Sequence, residues 1–260
     1  MPYIKVNDLK IFYYDNNREG TPLLFIHGWL GSSIEWRYQL FYFDSKKHIL
    51  LLDLPGFGKS DKPKIDYSVD FFSEKIISVL KLLKYNYIYI IGHSFGGLIA
   101  LNIAYQYPNL IKKLVLISTP IPNPRSIREK LKVLLVNKFF GVKYHVFLKN
   151  VVKRIIDRNE ESREFKKLYN YANQIPKSIV LSSFKNMIHI LGQNNFLNKI
   201  SQPKLLIYGT EDNIISNSII PNLSESHPFE KVKVVTNGSH RVMFDNYEEI
   251  NEIIEEFISD

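Results

Sequence analysis

Ser94 stands in the string Gly92-His93-Ser94-Phe95-Gly96, directly after an apolar run and directly before a helical one. Glycines around such a serine let the backbone turn sharply, which lifts the hydroxyl clear of a sheet edge. As a bare string the pattern is weak, and a serine that caps the following helix is the plain alternative. The strand before it and the helix after it make it a nucleophile signature. A serine hydroxyl is a poor nucleophile at neutral pH, so it needs a base, and the base needs an acid that orients it. Asp212 ends LLIYGTED and His240 ends VVTNGSH, each just past a strand-like run. There the carboxyl ends of parallel strands open into one crevice. The chain order Ser94, Asp212, His240 is nucleophile, acid, base. Glu211 rivals Asp212 as the acid, and His227 rivals His240, although His227 precedes a strand rather than following one. His27, His48, His93, His145 and His189 read as structural. No His-Glu-X-X-His spacing occurs, so no metal is expected, and the chemistry calls for no cofactor.

Acyl transfer also needs two backbone N–H groups aimed at the oxyanion. Phe95 offers one at the helix start. The loop His27-Gly28-Trp29-Leu30-Gly31-Ser32, after an earlier apolar run, offers the other at Trp29. A packing role for the Trp29 ring leaves its N–H free to serve.

The elements that must hold these groups follow from hydrophobic patterning. Alternation in IKVNDLKIFYYD predicts a hairpin turning at Asn7-Asp8. Short apolar runs at Pro22 to Ile26, His48 to Leu54, Tyr87 to Gly92, Lys113 to Ser118, Lys204 to Tyr208 and Lys231 to Val235 predict strands. Helical patterns lie between them: around Glu35 to Phe43, Tyr67 to Leu83 with Phe72, Ile76, Val79 and Leu80 on one stripe, Leu98 to Tyr107, and finally Tyr247 to Ile258. The fold class is therefore α/β, a mostly parallel central sheet flanked by helices. From 121 to 200 no strand run occurs. Helices are predicted at Ile127 to Phe140, Tyr144 to Ile156, Arg163 to Ala172 and Ile179 to Ile190, so residues 1–120 and 201–260 form the core and 121–200 an inserted helical cap. Tyr87 to Ala104 lacks charged residues and has about the length of a membrane span. Its central His93, Ser94 and glycines argue for a strand, a turn and a buried helix instead, so no transmembrane segment is expected. The N-terminal residues lack the unbroken apolar core of a signal peptide, which makes the cytoplasm the expected location.

With 260 residues, 45% of them apolar and 23% charged, the chain is an ordinary globular one that needs no staples. It contains no cysteine, which excludes disulfides, thiolate metal sites and a thiol nucleophile. The net charge is +8, and it is localised: residues 121 to 200 hold 16 Lys and Arg against 5 Asp and Glu, a balance of +11, and the remainder stands at −3. No nucleic-acid module or aromatic and basic interleaving accompanies that charge, so a nucleic-acid partner is not expected. A solvated lysine-rich surface and a dock for an anionic partner are both consistent with it.

The motifs HGWLGS (27 to 32), DLPGFGKSD (53 to 61), GHSFGG (92 to 97), YGTED (208 to 212) and GSH (238 to 240) together resemble the α/β-hydrolase fold superfamily from about residue 20 onward, outside the cap. The resemblance implies a Ser94, His240 and Asp212 triad, an oxyanion hole at Trp29 and Phe95, and a structural turn at 53 to 61. Haloalkane dehalogenases and epoxide hydrolases of the superfamily place an aspartate where this chain has Ser94, which points away from both. Proline iminopeptidases carry a Gly-Gly-Pro-Gly oxyanion loop that Trp29-Leu30-Gly31 does not match, which favours ester over amide cleavage. The chain is similar to small capped carboxylesterases, including the pimeloyl-acyl-carrier-protein methyl ester esterases. This implies a small ester substrate and gives the basic cap, with Arg125, Arg128, Lys130 and Lys132, a meaning as a dock for an acidic carrier protein. Leu131, Leu134, Leu135, Phe139, Phe147 and Val151 would then line an acyl pocket. Carbon–carbon bond hydrolases and lactonases share the triad and stay open, as does a ligand-sensing protein of the same fold.

Overall fold

A strand buried on both faces reads as an unbroken apolar run, because successive side chains point to opposite layers and both layers are covered. The computed structural model, which describes residues 3–121, 144–156, 163–191, 197–215 and 231–259, is built around such strands. β1 (Tyr3–Val6) and β2 (Leu9–Asp15) form the N-terminal hairpin, with Asn7 in the left-handed region at φ 53°. β3 (Leu23–Ile26), β4 (Ile49–Leu52), β5 (Ile88–His93), β6 (Ile111–Ile117), β7 (Lys204–Gly209) and β8 (Lys231–Val235) complete an eight-stranded sheet in the order β1-β2-β4-β3-β5-β6-β7-β8. From β4 to β8 every pairing is parallel, and only β1 with β2 and β2 with β4 run antiparallel.

The strands feed two cores. Leu24, Ile26, Leu50, Leu52, Ile90, Leu114, Leu116, Leu206 and Tyr208 face one. Leu23, Phe25, Ile49, Leu51, Ile91, Val115, Ile117, Leu205 and Ile207 face the other. α1 (Arg37–Phe43) and the C-terminal α8 (Tyr247–Ser259) cover the second core through Phe43, Ile250, Ile254 and Phe257. α2 (Val69–Leu82) and α3 (Phe95–Gln106) cover the first, and α2 is capped by Ser68, whose hydroxyl accepts from the Phe71 N–H. Three further helices, α4 (Tyr144–Ile156), α5 (Arg163–Asn173) and α6 (Lys177–Leu191), pack on the first core beyond the sheet, and no strand occurs among the described residues between 121 and 200. The short α7 (Val242–Asp245) begins two residues after His240, with Arg241 at its N-cap, and lies outside the helices expected from the sequence. Of the sequence expectations, the helix at 127–140, the pocket positions Leu131, Leu134, Leu135 and Phe139, and His227 lie outside the described residues. Among the described residues no helix is long and apolar enough to cross a membrane; the uncharged run from Tyr87 divides between β5 and α3.

Among boundaries that differ by one to three residues from the sequence expectation, the start of α3 differs most. α3 begins at Phe95, three residues before the periodic stripe, and includes Gly96 and Gly97. Glycine disfavours helix on its own, but here it is required: a Cβ on Gly96 would land on the carbonyl oxygens of Ile26 and His27, and one on Gly97 on the Thr119 side chain. Tertiary approach of α3 to β3 thus overrides local propensity. We expect Gly96→Ala to lower stability by about 1–3 kcal/mol, because the backbone at Ile26 and His27 cannot give way; chemical denaturation of both proteins measures it.

Candidate active site

Ser94 connects β5 to α3 with φ 49° and ψ −113°, a strained conformation for a residue with a side chain. Its N–H donates to the Ile117 carbonyl at 2.8 Å, tying the turn to β6. The strain is local and the sheet holds it. The hydroxyl, half-exposed, lies 3.0 Å from His240 Nε2. His240 Nδ1 lies 2.9 Å and 3.1 Å from the two carboxylate oxygens of Asp212, so the ring carries its proton on Nδ1 and offers Nε2 as acceptor. Asp212 Oδ1 also accepts from the N–H groups of Ile214 and Ile215, each at 2.8 Å. The structure therefore brings Ser94, His240 and Asp212 into one chain of hydrogen bonds. Glu211, the rival acid, points to solvent next door.

Burial decides the charge states. It pushes the His240 imidazolium down, and the hydrogen bond and charge of Asp212 only partly oppose this, so the ring titrates below the ordinary histidine value. Burial alone would raise Asp212, but the His240 ring and the two N–H groups outweigh it and hold the carboxyl below the usual range. Near neutral pH the arrangement is a neutral imidazole beside a carboxylate, which suits proton abstraction from Ser94.

The loop after β3 closes the other side. Gly31 N–H donates to the Gly28 carbonyl at 3.0 Å, making a tight turn with Leu30 at φ 62°. His27 is fully buried; its Nδ1 donates to the Gly28 carbonyl at 2.8 Å and its Nε2 accepts from the Leu54 N–H at 3.0 Å, joining the turns after β3 and β4. Burial pushes its pKa down, in keeping with a neutral structural ring. Asp53 accepts from the N–H groups of Ser33 and Lys59, which makes 53 to 61 a backbone clasp. Among the described residues, the backbone N–H groups of Trp29 and Phe95 have no acceptor within the chain. They are the two candidate oxyanion donors.

The Trp29 ring reaches up into the inserted helices. Its indole N–H donates to Ser183 Oγ on α6 at 2.9 Å, and Ser183 in turn donates to the Ile179 carbonyl. Phe184 on α6 and Phe147 on α4 pack against the same ring at centroid distances of 5.1 Å and 6.5 Å. Phe147 is thus the expected pocket position that the structure sets beside the candidate oxyanion loop; Val151 is half-buried on the same core. Tyr171 donates to the Gly31 carbonyl at 3.2 Å and accepts from the Gly58 N–H. Ser183, Phe184 and Tyr171 went unremarked in the sequence. The signal was a serine on the buried stripe of an amphipathic helix, beside Ile179 and Val180.

The chain belongs to the alpha/beta hydrolase fold family, whose profile matches residues 21–247. A curated relative, the pimeloyl-acyl-carrier-protein methyl ester esterase of Wigglesworthia glossinidia brevipalpis, is 31% identical over 230 residues, spanning 84% of this chain and 86% of its own. Epoxide hydrolase 1 of Caenorhabditis elegans is 27% identical and spans 99% of this chain and 70% of its own. The solved structure of Est816, described as an N-acyl homoserine lactone degrading enzyme, superposes with a TM-score of 0.82 at 22% identity over 98% of this chain and 100% of its own, a likeness of fold alone. The protein is a hydrolase of this family.

Two outcomes follow from the geometry. Because protonated His240 cannot accept the serine proton and burial lowers its pKa, kcat/KM should rise with pH through a midpoint below about 6.5 and level off above it; a pH series on an ester substrate locates that midpoint. Ser183→Ala leaves the Trp29 indole N–H buried without an acceptor and should cost about 1–3 kcal/mol of stability, read by denaturant unfolding.

Proposed function

We propose that this protein is a carboxylic ester hydrolase that works through an acyl-enzyme. The observation that carries the reading is the continuous chain Ser94 Oγ, His240 Nε2, His240 Nδ1, Asp212, with links of 3.0 Å and 2.9 Å, presented on a strained turn. Ser94 Oγ attacks the ester carbonyl while His240 Nε2 takes its proton. The oxyanion forms against the N–H groups of Trp29 and Phe95, and the alcohol leaves with the proton returned by His240. Water, activated by the same ring, then attacks the acyl-serine and releases the acid and free Ser94. Asp212 keeps the ring in the tautomer that both halves require and stabilises the imidazolium that forms in each.

The epoxide-hydrolase relatives do not redirect this reading, for a chemical reason. Opening an epoxide with a carboxylate leaves an ester that water can cleave. Opening it with Ser94 would leave an ether, which has no carbonyl for water to attack, and no turnover would follow. A lactone is an ester closed into a ring and fits the same steps.

In this reading residues 121–200 serve as a cap over the core formed by 1–120 and 201–260. Aromatic Trp29, Phe147 and Phe184 favour an apolar acyl group. The balance of +11 in the insertion, with exposed Lys153, Arg154, Lys166 and Lys167 on α4 and α5, supports an anionic partner such as an acidic carrier protein bearing the ester. Ser94→Ala should lower hydrolysis of p-nitrophenyl acetate by about 10⁴–10⁶-fold and abolish labelling by a fluorophosphonate; a variant as active as the parent would contradict the assignment. Replacing Arg125, Arg128, Lys130 and Lys132 together by glutamine should lower kcat/KM on a carrier-bound methyl ester and leave a small free ester unaffected.

A further inference from the structure

Beneath Ser94 lies a second buried pair of a histidine and a carboxylate that the ester chemistry does not use. His93, the last residue of β5, and Glu35, in the short 3-10 helix Ser33–Trp36, are both buried. Glu35 Oε1 stands 3.1 Å from His93 Nδ1, an ion-pair contact rather than an aligned hydrogen bond, and Glu35 Oε2 accepts from the Gly28 N–H at 2.8 Å. The other His93 nitrogen, Nε2, lies 2.9 Å from the backbone carbonyl of His240. Each ring nitrogen therefore faces an oxygen. The spacing is close: a side chain at Gly28 would come within 2.7 Å of His93 Nδ1.

The pair thus links two loops that have no covalent reason to keep their separation. One end grips Gly28, next to the candidate oxyanion donor Trp29; the other grips the residue that carries the base. We propose that Glu35 and His93 are positioning residues that hold the oxyanion loop and the His240 loop at a fixed distance across Ser94. The inference rests on the ester-hydrolase reading of Ser94, His240 and Asp212. The rings of His93 and His240 are 5.0 Å apart. Asp212 and Ser94 face His240, and Glu35 and the Trp36 ring face His93. Burial pushes the Glu35 carboxyl up, but His93, Arg241 and the Gly28 N–H outweigh it and hold it down at about 2.

The positioning role is read in two variants of the full chain, from kcat and KM on p-nitrophenyl butyrate. His93→Leu cuts the link and should lower kcat by about 10²-fold, the cost of misplacing reacting groups by about 1 Å, with KM nearly unchanged. The double variant Glu35→Gln/His93→Gln can still run amide hydrogen bonds from Gly28 to the His240 carbonyl and should regain most of the lost kcat. A His93→Leu protein with parental kcat, or a double variant no more active than His93→Leu, overturns the proposal; if His93→Leu does not fold, a double variant that has lost about 10²-fold in kcat overturns it alone. Ser94→Ala is run in parallel: an active Ser94→Ala protein overturns the ester-hydrolase reading itself, whereas an inactive one alongside either of those results overturns only the pair.

Discussion

Everything around the site depends on one backbone constraint, the turn at Ser94 that carries the chain from the centre of the sheet into a helix with no linker. A non-glycine residue at φ 49° and ψ −113° costs about 1–3 kcal/mol and persists only where its surroundings over-determine it. Here β5 runs between β3 and β6, the Ser94 N–H is bonded to Ile117, and α3 is pressed onto β3 so closely that Gly96 admits no side chain. The same approach brings the loop after β3 alongside the turn, and the Trp29 N–H with it. The geometry of the Ser94 turn and that of the loop carrying Trp29 thus follow from one packing arrangement.

Around that turn the protein keeps charges buried without leaving them unsatisfied. Asp212 and Glu35 are both removed from water, and each is held as an anion by an imidazole on one side and backbone N–H groups on the other. An unpaired buried carboxylate would be costly enough to take up a proton, so these partners are what keep the carboxylates ionised. His27 illustrates the opposite solution: with one donor bond and one acceptor bond its neutral ring is complete, and it serves as a bolt between two turns.

The helices beyond the sheet are joined to the site by polar contacts as well as by packing. Ser182 accepts from the Tyr67 N–H and donates to Asp66, Asn186 donates to Asp66, Ser183 accepts from Trp29, and Tyr171 donates to Gly31. The buried bond from the Trp29 indole to Ser183 has a narrow geometric tolerance, so displacement of α6 is transmitted to the loop that carries Trp29. The charge of the chain also acquires a place. The net charge of +8 divides into +11 within residues 121–200 and −3 in the remainder.

Strand positions, the helical stripe of α2 and the order of serine, aspartate and histidine were legible in the sequence, because period-two and period-3.6 patterns and glycine-flanked turns are local consequences of covalent geometry. The start of α3 was not, since Gly96 and Gly97 argue against helix until the backbone of Ile26 and His27 is seen to exclude anything larger. Asp212 was the expected acid, with the adjacent Glu211 of the same chemistry as its rival. Only the fold turns one toward His240 and the other to solvent. Glu35 and His93, 58 positions apart, carry no mutual signal in the chain. Residue types and their order set which chemistry was available. Which atoms come within 3 Å of one another was decided by the sheet, whose parallel crossovers bring distant loops to one edge, where burial gives each contact its strength.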